Sequence, residues 1–133
     1  MNGKENGFTL LELLIVVTII GLLATLAMAN YSVFKIHAYN ATAASDTRGL
    51  ATAAEYASDP LRFTGPTPYP LTGTGGLIAG LSGGSYSPGT YGTVDIVAPN
   101  QYVVMASHER GDLCYTIDSS DGGVMAVSNG PCS

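Results

Sequence analysis

From Phe8 to Ala29 the chain runs through 22 residues in which Glu12 is the only charge. At roughly 1.5 Å per residue, a helix of that length crosses the hydrocarbon core of a bilayer. The stretch reads as a membrane segment with one anomaly. An ionised carboxylate in hydrocarbon costs on the order of 3 kcal/mol even on the lenient insertion scale, so Glu12 calls for a partner, an interfacial position or a proton. A cation close to residue 8 would meet that need.

One source of such a cation is a free amine on Phe8, created by cutting after Gly7. Gly7, Phe8, Thr9, Leu10, Glu12 and the run Leu13-Leu14-Ile15-Val16-Val17-Thr18-Ile19-Ile20-Gly21 resemble the class III signal of type IV pilins and the related pseudopilins. The resemblance implies that a prepilin peptidase cuts between Gly7 and Phe8 and that the new N-terminal Phe8 is N-methylated. It also implies that Glu12 pairs with the N-terminal amine of a neighbouring subunit during filament assembly. It fades near residue 60. Along it, Tyr31, Phe34, Ala38-Tyr39-Asn40 and Ala44-Ser45-Asp46 resemble pilins of Geobacter-type bacteria, whose filaments have been argued to carry electrons. The plainer reading of Phe8, Tyr31, Phe34, Tyr39 and Tyr56 is packing at helix contacts.

The chain departs from the family at Ala29, where many type IV pilins carry a helix-bending proline. Gly21 is then the only helix-weakening residue in the membrane half and the expected centre of any kink or unwinding. A rival reading is an ordinary secretory signal cut after Ala29, since Ala27-Met28-Ala29 fits the small-x-small pattern. Its apolar region would exceed the roughly 7 to 15 residues usual for such signals and would contain Glu12.

With 133 residues, the chain has room for one domain beyond the membrane segment, enough for a modest core. The net charge of −5 argues against nucleic acid as a primary ligand. Cys114 and Cys132 fit one disulfide in an oxidising compartment, the alternative being two buried thiols. The basic residues barely favour either orientation, because Glu5 offsets Lys4 on one flank and Lys35 stands on the other. Oxidised cysteines would put residues 30–133 outside the cytoplasm and residues 1–7 inside, in agreement with the resemblance.

Five segments follow. Residues 1–7 are a short polar leader, and residues 8–29 the membrane or filament-core helix. Residues 30–58 continue that helix amphipathically, with Ile36, Tyr39, Ala43, Thr47, Leu50, Ala54 and Ala57 at steps of three and four. Asp59-Pro60 ends it. Residues 59–92, rich in Gly, Pro, Ser and Thr, read as a connecting loop with room for a short helical turn around Leu77 to Leu81. Residues 93–133 carry four short strands, Val94–Ala98, Tyr102–Ser107, Leu113–Ile117 and Val124–Val127, with turns at Pro99-Asn100, Arg110-Gly111-Asp112 and Asp121-Gly122-Gly123. The expected fold is α+β: a long N-terminal helix packed on a four-stranded antiparallel sheet, with Cys114 to Cys132 tying the tail to the third strand.

No catalytic constellation is present. His37 and His108 fall on different elements, and no serine sits in a nucleophile-elbow pattern. His108, Glu109, Asp112, Asp118 and Asp121 are near one another in sequence, but Asp118-Ser-Ser-Asp121-Gly is not an EF-hand loop and aspartates favour turns on their own account. No metal, cofactor or enzymatic activity is expected. The expected function is that of a structural subunit of a type IV pilus, a homo-oligomeric helical filament. Its partners are the prepilin peptidase, the membrane before assembly and an inner-membrane assembly platform. It spans the inner membrane once and then becomes extracellular. The alternatives are a type II secretion pseudopilin and, from another class, a secreted or membrane-anchored binding module whose long loop holds a ligand.

Overall fold

A computed structural model describes residues 8–66 and 71–132; residues 1–7, expected to form a leader ending at Gly7, lie outside them. The first element, α1 (Leu10–Ser58), is a single 49-residue helix, and its α-helical conformation runs through both Gly21 and Ala29. The chain falls into two compact units, Met1–Lys35 and Ile36–Ser133.

In the second unit, residues 36–58 of α1 bury the stripe expected from the spacing: Ala43, Thr47, Leu50 and Ala54 are fully buried. Alanines let the sheet approach closely, and Leu50 fills the space between them, a burial worth about 1.5 to 3 kcal/mol. The Thr47 hydroxyl donates to the Ala43 carbonyl at 2.8 Å, so it enters the core already bonded. The helix stops at Ser58, where Asp59 turns the chain: its side chain accepts from the Leu61 amide at 2.8 Å, and its carbonyl accepts from Arg62 and Phe63. The Ser58 carbonyl, left without a helical partner, accepts from the Asn100 amide at 2.8 Å.

The sheet has five strands rather than four. They are β1 (Leu71–Leu77), β2 (Ser85–Ala98), β3 (Gln101–His108), β4 (Leu113–Asp118) and β5 (Met125–Asn129), paired antiparallel in chain order. The four expected strands correspond to the second half of β2 and to β3, β4 and β5. The correction falls on residues 59–92, where the expected loop contains β1 and the first half of β2. β1 has the sequence Leu-Thr-Gly-Thr-Gly-Gly-Leu, poor in strand formers, and it holds its place by pairing Leu71 to Val94 and Gly73 to Gly92. Its register shifts between Thr74 and Gly76, and Gly75 (φ 48) and Gly76 (φ 109) supply the left-handed backbone there. The chain from Ile78 to Leu81 makes a turn, not a helix: the Leu81 amide donates to the Ile78 carbonyl at 3.2 Å.

Along β2, Tyr86, Thr90, Val94 and Ile96 face inward, and Val104, Ala106 and Ile117 complete the core against Leu50, Ala53 and Ala54. Pro99 and Asn100 turn β2 into β3, with Asn100 at φ 59, the positive φ a type II turn needs at its second central residue. A 3₁₀ turn, Ser119–Asp121, joins β4 to β5. It is capped by Asp118, whose carboxylate accepts from the Ser120 amide and hydroxyl, both at 2.7 Å. Those two donors hold the Asp118 carboxyl below its ordinary range. Cys114 is bonded to Cys132 with Cα atoms 5.1 Å apart, so the tail is tied to the expected strand at Leu113–Ile117, which is the fourth of the five. The Gly130 amide donates a hydrogen bond to the Asp112 carbonyl at 2.8 Å, and the Cys132 amide donates one to the Ser107 hydroxyl at 3.3 Å.

Three substitutions are testable by urea denaturation of the detergent-solubilised chain. A Cβ at Gly92 would stand 1.9 Å from the Met105 carbonyl oxygen, so Gly92→Ala should lower stability by about 3 kcal/mol. Gly49→Ala, on an exposed helix position with nothing within 4 Å, should raise it by up to about 1 kcal/mol. Cys132→Ser, which opens a bridge of sequence separation 18, should cost about 3 kcal/mol, and added reductant should lower the parent but not this variant.

Candidate functional site

In the first unit every described side chain from Phe8 to Met28 is exposed. Phe8 is 86 % exposed and Leu10 83 %, with Leu13, Ile15, Val17, Ile20, Leu23 and Leu26 bare on all sides of the helix. A helix that is apolar all round has no face to turn to water, so it demands lipid or other apolar helices on every side. Its hydroxyls fit that surrounding. Thr18 donates to the Ile15 carbonyl at 2.8 Å and Thr25 to Leu22 at 2.7 Å, so neither carries an open donor into an apolar medium.

The one charge sits at the helix start. Thr9 and Glu12 form a capping box: the Glu12 amide donates to the Thr9 hydroxyl at 3.2 Å, and the Thr9 amide and hydroxyl donate to Glu12 Oε2 at 2.9 and 3.0 Å. The signature Thr-x-x-Glu is written in residues 9–12 and was open to sequence reading. Sequence reasoning singled out Glu12 but missed the residue that holds it. Of the expected processing and assembly residues, the structure places Phe8 exposed beside this box and Glu12 inside it, and Gly7 lies outside the described residues.

In the second unit, polar side chains on α1 reach the sheet and its turns. Asn40 brackets Asp112, donating from Nδ2 to its carboxylate at 2.7 Å and accepting from its amide at 3.1 Å. Asp46 accepts from the Ser87 amide at 2.7 Å and from its hydroxyl at 2.8 Å. Tyr86 is buried near this carboxylate; burial first and the Asp46 charge second push its phenol well above the ordinary range. Tyr39 stacks on His108 with ring centroids 4.4 Å apart, and His108 Nδ1 accepts from the Arg110 amide at 3.1 Å.

The acidic residues near one another in sequence are spread over both ends of β4. Glu109 and Asp112 precede it, while Asp118 and Asp121 follow it. Among the described residues no three His, Cys, Asp or Glu side chains converge. An open polar cavity of about 270 Å³ lies between Glu55, Asn100, Tyr102, Ser119, Gly122 and Gly123. It falls below the roughly 300 to 1,000 Å³ usual for small-molecule sites and lacks their apolar lining.

Residues 2–28 match the family described as the prokaryotic N-terminal methylation motif. The chain is 42 % identical over 52 residues to the type IV major pilin protein PilA of Myxococcus xanthus, covering 39 % of this chain and 24 % of that protein. It is 45 % identical over 53 residues to two fimbrial proteins of Pseudomonas aeruginosa, covering 40 % of this chain and 34 % of each. The matched stretch thus spans about a quarter to a third of these relatives. No solved structure matches the chain. By its N-terminal segment and the motif written there, the chain is similar to type IV pilins.

Proposed function

We propose that the chain is the structural subunit of a type IV pilus, cut between Gly7 and Phe8 by a prepilin peptidase, N-methylated on Phe8 and polymerised from the membrane into an extracellular filament. One observation carries this reading: a helix exposed and apolar on every side from Phe8 to Met28, with a single carboxylate held in its first turn. That surface is covered by lipid before assembly and by other copies of the same helix afterwards. Residues 1–7 are the leader, residues 8–29 the membrane and filament-core segment, and residues 30–133 the part displayed outside the cytoplasm, where the Cys114–Cys132 bridge is stable.

Burial of apolar area supplies cohesion at about 25 cal/mol per Å², but it has no preferred stagger. The Phe8 amine of one subunit meeting Glu12 of the next supplies register, because a charge in an apolar fibre core is tolerated only where its partner arrives. The relatives are a major pilin and fimbrial proteins by name, which favours a pilus over a secretion pseudopilus. The binding-module reading has less to support it, because much of the stretch expected to form a ligand-holding loop is sheet.

Glu12→Ala and Glu12→Val should insert in the membrane but yield at least about tenfold fewer fibres, since one partner of a buried ion pair is gone. Sheared-fibre yield measures this, and parental yield from either variant would count against the role. Gly7→Leu should accumulate as an uncut membrane-bound precursor, visible as the intact leader mass in mass spectrometry.

A further inference from the structure

The lone carboxylate of the apolar helix is already engaged within its own chain. Oε2 of Glu12 takes two bonds, from the Thr9 amide at 2.9 Å and the Thr9 hydroxyl at 3.0 Å, while Oε1 has no partner among the described residues. The same hydroxyl accepts from the Glu12 amide at 3.2 Å, so Thr9 is fixed by the group it fixes. We propose that Thr9 is the positioning residue for assembly: it anchors one oxygen of Glu12 at the start of the helix and keeps the other available to the N-terminal amine of a second copy of this chain. This rests on the reading above, in which that amine is the partner Glu12 awaits.

The argument is one of preorganisation. A glutamate side chain has three rotatable bonds, and an apolar surrounding offers nothing else to orient it. Left free, it would reach for the headgroups or exchange among rotamers, and an arriving amine would have to order it. With Oε2 fixed, the carboxylate lies back along the chain at the level of Thr9, one residue from the position where a freed Phe8 amine begins. Threonine suits this role because its branched Cβ restricts χ1 while its hydroxyl both donates and accepts. Valine has the same shape and can do neither. Serine can do both.

The proposal is tested by two measurements on the full chain. In detergent micelles, exchange of the Thr9 amide should become about tenfold faster in Glu12→Leu than in the parent, the loss of one charge-assisted hydrogen bond. Unchanged exchange would overturn the proposal. In cells carrying a type IV pilus assembly system, Thr9→Val should be cut normally after Gly7 yet give about tenfold fewer sheared fibres, and Thr9→Ser should match the parent. A parental yield from Thr9→Val, or a yield from Thr9→Ser as low as that from Thr9→Val, would sink it. So would an uncut Thr9→Val precursor, which would assign Thr9 to the peptidase. Normal fibres from Glu12→Leu would instead remove the filament-register reading, and the amide exchange would then stand as a separate measurement of the Thr9–Glu12 contact.

Discussion

An apolar helix surface left exposed from Phe8 to Met28 among the described residues, interrupted by one carboxylate, is the constraint from which the other features of this protein take their meaning. The hydrophobic effect is non-directional and scales with area, so the bare stretch from Phe8 to Met28 favours an apolar surrounding but sets no stagger within it. A charge in such a surface reverses the logic. It costs little only where a partner meets it, and therefore converts a sticky cylinder into one with a preferred position. The capping box gives this charge bonds at the helix start: the carboxylate accepts from an amide and a hydroxyl of its own chain.

The second unit solves a different problem. Its helix face is built of Ala43, Ala44, Ala51, Ala53 and Ala54, which allow close approach but bury little area each. Polar contacts add the specificity that alanine cannot. Asn40 brackets Asp112, Asp46 takes both donors of Ser87, and the Ser58 carbonyl takes the Asn100 amide, so the helix is fixed at three heights by bonds to a turn, a strand and a second turn. Asp46 and Asp112 each have hydrogen bonds supplied by the partner element. That is the condition under which a part-buried carboxylate stabilises a structure instead of straining it.

What the sequence made legible follows the range of each interaction. The stripe Ala43, Thr47, Leu50 and Ala54, the stop at Asp59-Pro60 and the turn at Pro99-Asn100 are local in sequence, and each is found where the pattern put it. β1 was invisible because its strand character is conferred from outside. Gly73 owes its place to pairing with Gly92 and to the Tyr86 ring, 2.9 Å from where its Cβ would be, and neither is legible in Leu-Thr-Gly-Thr-Gly-Gly-Leu itself. Asn40 and Asp112 are 72 residues apart, and no spacing rule links them. Thr9 is the opposite case: its capping signature lies within four residues, but the apolar run around it invites a reading of membrane burial and hides an ordinary helix start.

The tail shows why the bridge matters more than its single bond suggests. Cys132 is tied to β4 through Cys114, Gly130 to the Asp112 carbonyl, and Asp112 in turn to Asn40 on the helix. Restraining the tail therefore also restrains the turn before β4 and, through that turn, one of the three heights at which the helix is fixed. In a small unit with an alanine-rich core the unfolded chain has little burial to overcome. Limiting its freedom by a cross-link is then an effective way to favour the folded form. The bridge also acts on the β5 edge, because the tail it holds lies directly after Asn129, the residue that pairs with Leu113 at the end of the sheet. Loss of the bridge should accordingly loosen β5 and the Asn40–Asp112 contact before it reaches the Leu50 core.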